Sequence, residues 1–532
     1  MKNRTKKLLS LALAVAMAGS ISAYAESTET PAEGPAPEHS AMEITPDDPS
    51  AINVVIADND SFTTCDDFNN FALINKLLER LWADPLMELN YETGEYIGVV
   101  AESWEWDEAG TTVTIKVRDG ITFSNGEPLT AEDVAFTYNR IITDPDLINT
   151  MRWTKMLGAE VTGDNEVQIS FNAVMPNFNA EAVFVPIICK SAYEADPENY
   201  FNGPIGSGPY VWYSTDFVNN SGTLQRRDEW WGYEYYGTEP SNVDFVTYAK
   251  VDEDTTRVSS LRTGEVNICR ALPLDQVAIA EADGLRTIIT DLSRNVFLCL
   301  QCDENSWFKD ERVREALSLC IDRDLLTEAI VGGGKASVYP FPSNCVGFNP
   351  DSPGYEYNPE KAKELLAEAG YNGEEIPFDI ASGIVTRGIE VAQAIQAMAS
   401  EVGLNLVITQ KETAAYNDAR FGGAYTMQLC NFINTEGDPF VVMNELLGRI
   451  DIFKTHFVDE DIWSIIDEAC VTVDAQEREV LMTSAFDKVF ANFGPYLYLY
   501  DEQYALGLSD GLTGEKLYFD MLMELRYLHF AK

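Results

Sequence analysis

The sequence predicts an α/β protein divided into at least two lobes. Two observations carry that expectation. Residues 51–532 form a stretch too long for one hydrophobic core, because chains beyond about 250–300 residues split into separate cores. The segment from Ala83 to Arg140 also runs strand patterns through turns into a capped helix. In it Trp104 and Trp106 share one side of an extended stretch. Val113, Ile115 and Val117 alternate with Thr112, Thr114 and Lys116, the period of a half-buried strand. Asn125-Gly126 marks a turn. Thr130 and Asp133 have the spacing of a capping box, and Val134, Tyr138 and Ile141 then fall on one helical face.

The first residues read as a signal peptide, 1–25. Lys2, Arg4, Lys6 and Lys7 form a basic start, Leu8 to Ile21 is mostly apolar, and Ala23-Tyr24-Ala25 suits cleavage before Glu26. The apolar run is short for a membrane span, and no Cys follows it to carry a lipid. Export to a periplasm or outer cell surface is expected. Residues 26–50 are rich in Pro, Glu, Ser, Thr and Ala and read as a flexible acidic leader.

Acidic residues number 86 against 37 basic ones, for a formal charge of −49. That excess excludes nucleic acid as a partner and favours solubility. Its long-range pull on cations fades within about 8 Å at physiological salt. The nine cysteines leave at least one unpaired within the chain. Cys299 and Cys302 have CxxC spacing but border the apolar run Val296 to Leu300. Residues three apart on a strand face opposite sides, so they are poorly placed to share a disulfide or a metal. Cys320 lies on one helical face with Val313, Ala316, Leu317 and Ile321 and reads as a core thiol.

Ala101-Glu102-Ser103-Trp104, Gly110, Arg118, Gly120, Phe123, Gly126, Pro128, Ala131, Asp133 and Val134 stand at the spacing of a known signature. It resembles that of the family-five extracellular solute-binding proteins, the oligopeptide-, dipeptide- and nickel-binding components of ABC importers. Val117 stands where Leu is usual. The likeness continues through Ile205 to Tyr210, Asp254 to Asn267, Phe308 to Ala316, Ile321 to Arg323 and Tyr357 to Tyr371. Gly206 and Gly208 suit tight turns, Pro359 a first helical turn, and Gly370 a helix C-cap. The resemblance implies a two-lobed periplasmic-binding-protein type II fold with a hinge of two crossing strands near Ser293 and Leu497. Its first lobe would hold 51–292 and 495–532, with an extra subdomain at 91–204, and its second lobe 293–494. A ligand bridging both lobes would shift the population toward closure.

The resemblance also places the ligand. One wall would come from Asn59, Phe62 and Thr63, the other from Ser382 and Phe432. Peptide-binding relatives carry an ammonium-binding Asp in the loop matching Asn431 to Pro439. Here that position is Thr435, which leaves Glu436 or Asp438 as the carboxylate. A buried ammonium needs one, since losing one partner of such a pair costs about 3–5 kcal/mol. A short peptide is the leading ligand, with an oligosaccharide or other small solute as the alternative. The expected partner is the permease of an ABC transporter, the expected state a monomer, and no cofactor or metal is implied.

Enzyme readings find less support. Gly507-Leu508-Ser509-Asp510-Gly511 has the letters of a nucleophile elbow around Ser509. However, Leu512-Thr513-Gly514 does not open a helix, and of His39, His456 and His529 only His529 lies downstream. Gly332-Gly333-Gly334-Lys335 lacks the first glycine and the Ser/Thr of a P-loop. There is no zinc spacing and no EF-hand loop.

Overall fold

The computed structural model describes residues 44–531 apart from 71, 149, 341, 343–355 and 435–438. The expected signal peptide and most of the leader lie outside the described residues. The strands used below are β1 (Asn53–Asp58), β2 (Ala101–Trp106), β3 (Thr112–Val117), β4 (Met156–Gly163), β5 (Glu166–Phe171), β6 (Tyr210–Asp216), β7 (Ser221–Arg226) and β8 (Phe245–Lys250). They continue as β9 (Ile268–Cys269), β10 (Arg286–Leu300), β11 (Lys335–Ala336), β12 (Glu375–Ala381), β13 (Asn405–Lys411), β14 (Met427–Ile433), β15 (Tyr496–Leu508) and β16 (Leu512–Thr513).

One mixed sheet carries the architecture, in the order β13-β12-β14-β10-β15-β9-β1-β8-β7-β6, with β11 on β15. Its two middle strands are long because each serves two hydrophobic cores. Arg286 to Asp291 of β10 pair with Gln503 to Leu508 of β15, and Asn295 to Cys299 pair with Tyr496 to Asp501. On one side of that crossing Val54, Ile56, Leu77, Val113, Tyr138, Val246 and Leu506 belong to a single core. On the other side β10 alternates. Val296 and Leu298 enter a core with Phe378, Ile395 and Leu499, while Phe297 and Cys299 enter another with Leu446, Ile466 and Phe486. A strand buried on both faces reads as a continuous apolar run, which is what Val296 to Leu300 is. Residues Tyr496 to Tyr500 fall after the expected 495 boundary of the first lobe, yet their side chains pack in the second-lobe cores.

A separate four-stranded sheet, β2-β3-β5-β4, sits within 91–204 and shares the first-lobe core. Val113, Ile115 and Val117 of β3 are buried as their alternation requires. The helix Ala131–Thr143 begins at a capping box, with the Thr130 N–H donating to Asp133 Oδ2 at 2.9 Å. Its Val134, Tyr138 and Ile141 are buried. Asn358 caps the helix Pro359–Ala369, whose first residue is proline and which ends on Gly370 at φ 75°. Gly206 and Gly208 serve a different purpose from the turns expected of them. Neither has positive φ; a Cβ on Gly206 would collide with the Trp82 carbonyl, and one on Gly208 with the Leu81 carbonyl. The requirement is close backbone approach, which only a missing side chain allows.

Candidate ligand-binding cleft

The crossing is marked by a break in register. Asp291 pairs with Gln503 and Asn295 with Asp501, so Leu292, Ser293 and Arg294 face only Glu502. Extra residues on one strand bend it and increase its twist. Backbone and side chains fix the bend. The Ser293 N–H donates to Phe519 O at 2.7 Å, and the Asn434 N–H donates to Ser293 O at 2.8 Å. Arg294 Nε lies 2.5 Å from Glu502 Oε2, and Asn295 Nδ2 donates to Asp501 Oδ1 at 2.7 Å. Burial pushes the Asp501 carboxyl up to about 7, against the opposing pull of Ser337, Lys335 and Asn295.

Strand directions then locate a crevice. β1 and β9 are parallel, β9 is antiparallel to β15, and β15 to β10, so β1 and β10 run the same way. Because β10 runs from the first-lobe core into the second, the carboxyl end of β1 points at the second lobe. β14 is antiparallel to β10, and β12 is parallel to β14, so their carboxyl ends point back at the first lobe. β14 ends at Ile433, opposite Arg294 in the bend. Loops that leave carboxyl ends of strands at such a junction are where α/β folds place ligands.

The candidate residues occupy these loops in different ways. Asn59 is exposed directly after β1, and its N–H donates to Asp58 Oδ1 at 2.7 Å. Thr63 is exposed and its hydroxyl accepts from Asn70 Nδ2 at 3.2 Å. Phe62, between them, is 1% exposed; its ring stacks on Trp212 at 5.3 Å and meets Phe217 and Tyr248. In this conformation that ring packs the wall and does not face the crevice. Ser382 follows β12, exposed, with its hydroxyl accepting from Gln410 Nε2 at 2.9 Å. Phe432 is half-buried near the end of β14, edge-on to Phe453 at 6.4 Å. Thr435, Glu436 and Asp438 lie outside the described residues.

Charges that sequence reading did not single out also sit at these strand ends. Arg270, just after β9, lies with its Nε 2.6 Å from Asp58 Oδ2, both side chains buried. Burial works against the Arg270 cation, but Tyr504 and Asp58 outweigh it and hold the guanidinium protonated. Burial raises the Asp60 carboxyl, partly offset by the Ile74 and Ser61 N–H groups it accepts from. Asp58 and Arg270 are 212 positions apart, and no local spacing could have joined them.

The motifs that could have carried catalysis are built otherwise. Ser509 follows β15, its N–H donates to Asn267 O at 2.9 Å, Gly511 turns at φ 83°, and β16 follows. That is strand, turn, strand, whereas a nucleophile elbow needs strand, turn, helix. Gly332 to Lys335 lead from the helical turn Leu326–Val331 into β11, the reverse of a P-loop. Among the described residues no three His, Cys, Asp or Glu side chains gather as metal ligands. Among the same residues no helix is long and apolar enough to cross a membrane.

Comparison with known proteins agrees with this architecture. Heme-binding protein A of Haemophilus influenzae is 26% identical over 436 residues, covering 75% of this chain and 78% of that protein. Oligopeptide-binding protein AppA of Bacillus subtilis is 26% identical over 458 residues, covering 78% and 80%. The structure of HbpA2 from Haemophilus parasuis superposes with a TM-score of 0.79 at 21% identity, covering 90% of this chain and 100% of that one. The fold is therefore the two-lobed periplasmic-binding-protein type II fold with an extra subdomain. Residues 95–452 match the family described as bacterial extracellular solute-binding proteins, family 5 Middle, and the chain belongs to that family.

Proposed function

We propose that this protein captures a short peptide between its two lobes and delivers it to the transmembrane permease of an ABC importer, without chemistry of its own. The observation that carries the reading is the junction at which β1 points into the second lobe while β12 and β14 point back. A ligand there touches both lobes, and only contacts made better in the closed state can shift the population toward closure. Family membership and the relative named as an oligopeptide-binding protein support the peptide as ligand. In this reading residues 51–291 with 503–532 form one rigid lobe and 295–501 the other, and they move about Leu292 to Arg294 and Glu502. Asn59, Thr63, Ser382 and Phe432 contact the ligand, and Glu436 or Asp438 accepts its α-ammonium.

Native mass spectrometry of the mature protein, residues 26–532, purified without denaturation tests this. Adducts of peptide mass that are lost on unfolding are the expected result. Adducts spaced by hexose units would replace the peptide with an oligosaccharide. A single tetrapyrrole mass would replace it with haem, the ligand in the name of one relative.

A further inference from the structure

A contact far in sequence from the crevice joins the extra subdomain to the second lobe. Arg152 lies in the short turn Met151–Trp153, whose Trp153 is buried in the first-lobe core. Its Nη1 is 3.5 Å from Glu181 Oε2, on the same lobe. Its Nε is 3.6 Å from Glu445 Oε1. Glu445 belongs to the helical turn Met443–Leu447, whose Met443, Leu446 and Leu447 are buried in a second-lobe core. One guanidinium therefore faces a carboxylate from each lobe.

A second, apolar contact links the same two bodies. Val473, between the helices Glu460–Ala469 and Ala475–Ala491 of the second lobe, sits over Gly110 in the β2–β3 turn. A methyl group on Gly110 would come within 2.9 Å of Val473 Cγ2 and 3.5 Å of Val174 Cγ1. Gly110 has φ 64°, so glycine both makes the turn and leaves room for Val473.

We propose that Arg152, Glu181 and Glu445, with Val473 seated on Gly110, form an interlobe clasp that stabilises the closed conformation independently of the ligand. In this proposal both contacts are lost when the lobes part, so they favour closure in the same way as a bridging ligand. The clasp sets how much of the ligand-free protein is closed, and through that the apparent affinity for whatever is bound. The ion pair is partly exposed, so its effect is modest and salt weakens it. Opening it should lower the ratio of closed to open molecules by about 1.5- to fivefold.

Small-angle X-ray scattering of the ligand-free mature protein tests the clasp with no ligand involved. Its failure is thus distinct from failure of the peptide reading. Wild type, Glu445→Gln and Val473→Ser are compared at low salt and at about 1 M salt, where charges further apart than about 3 Å are screened. Melting curves confirm that each variant is folded. The expected result is a larger radius of gyration for both variants at low salt, and for wild type a salt-driven expansion that Glu445→Gln lacks. Superimposable scattering from all three proteins at both salt concentrations would overturn the proposal, and Val473→Ser decides the matter if Glu445→Gln fails to fold.

Discussion

Asn295 and Asp501 meet across the two crossing strands, with the Asn295 amide donating to the Asp501 carboxylate at 2.7 Å and both residues buried. The pairing ties the two strands together just beyond the bend, on the second-lobe side. It also leaves a carboxyl group in a place where its charge is costly. Burial raises it from 3.8 to about 7.

The sign of the resulting pH dependence follows from proton counting. Between pH about 4 and about 7 the folded protein holds a proton on Asp501 that the unfolded chain has released. Stability therefore falls through that window as pH rises, and the penalty is complete above it. Asp501→Asn removes the penalty and keeps an acceptor for Asn295. The variant should melt with wild type at pH 4 and above it at pH 8, by about 2–4 kcal/mol. Melting curves that stay parallel from pH 4 to 8 would show that Asp501 titrates normally.

Phe62 tests whether a wall residue contacts ligand or holds the wall. Its ring lies among Trp212, Phe217 and Tyr248 and is almost wholly buried. Phe62→Ala should cost about 3–5 kcal/mol. Phe62→Leu should cost less and leave peptide affinity within about threefold, because the ring supplies packing. Calorimetric titration with a peptide identified by mass spectrometry would settle it. A tenfold or greater loss in a well-folded Phe62→Leu protein would put the ring in the binding site.

Gly206 gives a third test, of stability alone. With no room for a Cβ beside the Trp82 carbonyl, Gly206→Ala must push apart the end of the helix Leu73–Trp82 and the segment that leads into β6. A loss of about 2 kcal/mol or more is expected in thermal or urea unfolding. At a glycine without positive φ and with open space for a Cβ, the same change would instead stabilise by about 0.4–1 kcal/mol.

The parts legible in sequence were those with local causes. The capping box at Thr130 and Asp133, the alternation in β3 and the Pro359 to Gly370 helix all rest on neighbouring residues, and their spacing survives into the fold. The family signature gave the two-lobed architecture because its glycines and prolines are backbone requirements. The ends of the lobes were less readable. Tyr496 to Tyr500 follow a boundary placed by analogy, but which core a continuous strand packs in depends on where its partner bends. The bend arises from Leu292 to Arg294 opposite Glu502, a count that only pairing reveals. Arg270 with Asp58 and Arg152 with Glu445 are likewise long-range pairs with no local spacing to mark them. The resemblance placed Phe62 on the ligand wall, but its ring is claimed by Trp212, Phe217 and Tyr248, none of them near it in sequence.

The cysteines offer the last test, because reactivity and acidity should part company here. Cys299 and Cys430 lie on adjacent strands of the second lobe, facing the same core. Cys299 Sγ is 3.0 Å from the Tyr425 hydroxyl, and Cys430 Sγ is 3.2 Å from the Tyr416 hydroxyl. Burial pushes the Cys430 thiol up, but hydrogen bonding with Cys299, the Arg420 charge and Tyr416 outweigh it and bring it down to about 7. Burial and the neighbouring Cys430 push the Cys299 thiol well up. A thiol near 7 would react fast if it could be reached, but Cys430 is 0% exposed, and alkylation needs both thiolate and access. Cys470 is half-buried, and burial raises its thiol. Among the described cysteines, timed iodoacetamide labelling at pH 8 with peptide mapping should therefore modify Cys470 first and Cys299 and Cys430 last, only as the second lobe opens. Early labelling of Cys430 would mean that its core is open to solvent. Recovery of Cys299 and Cys430 as a disulfide-linked peptide would mean that the exported protein carries an oxidised pair in place of two thiols.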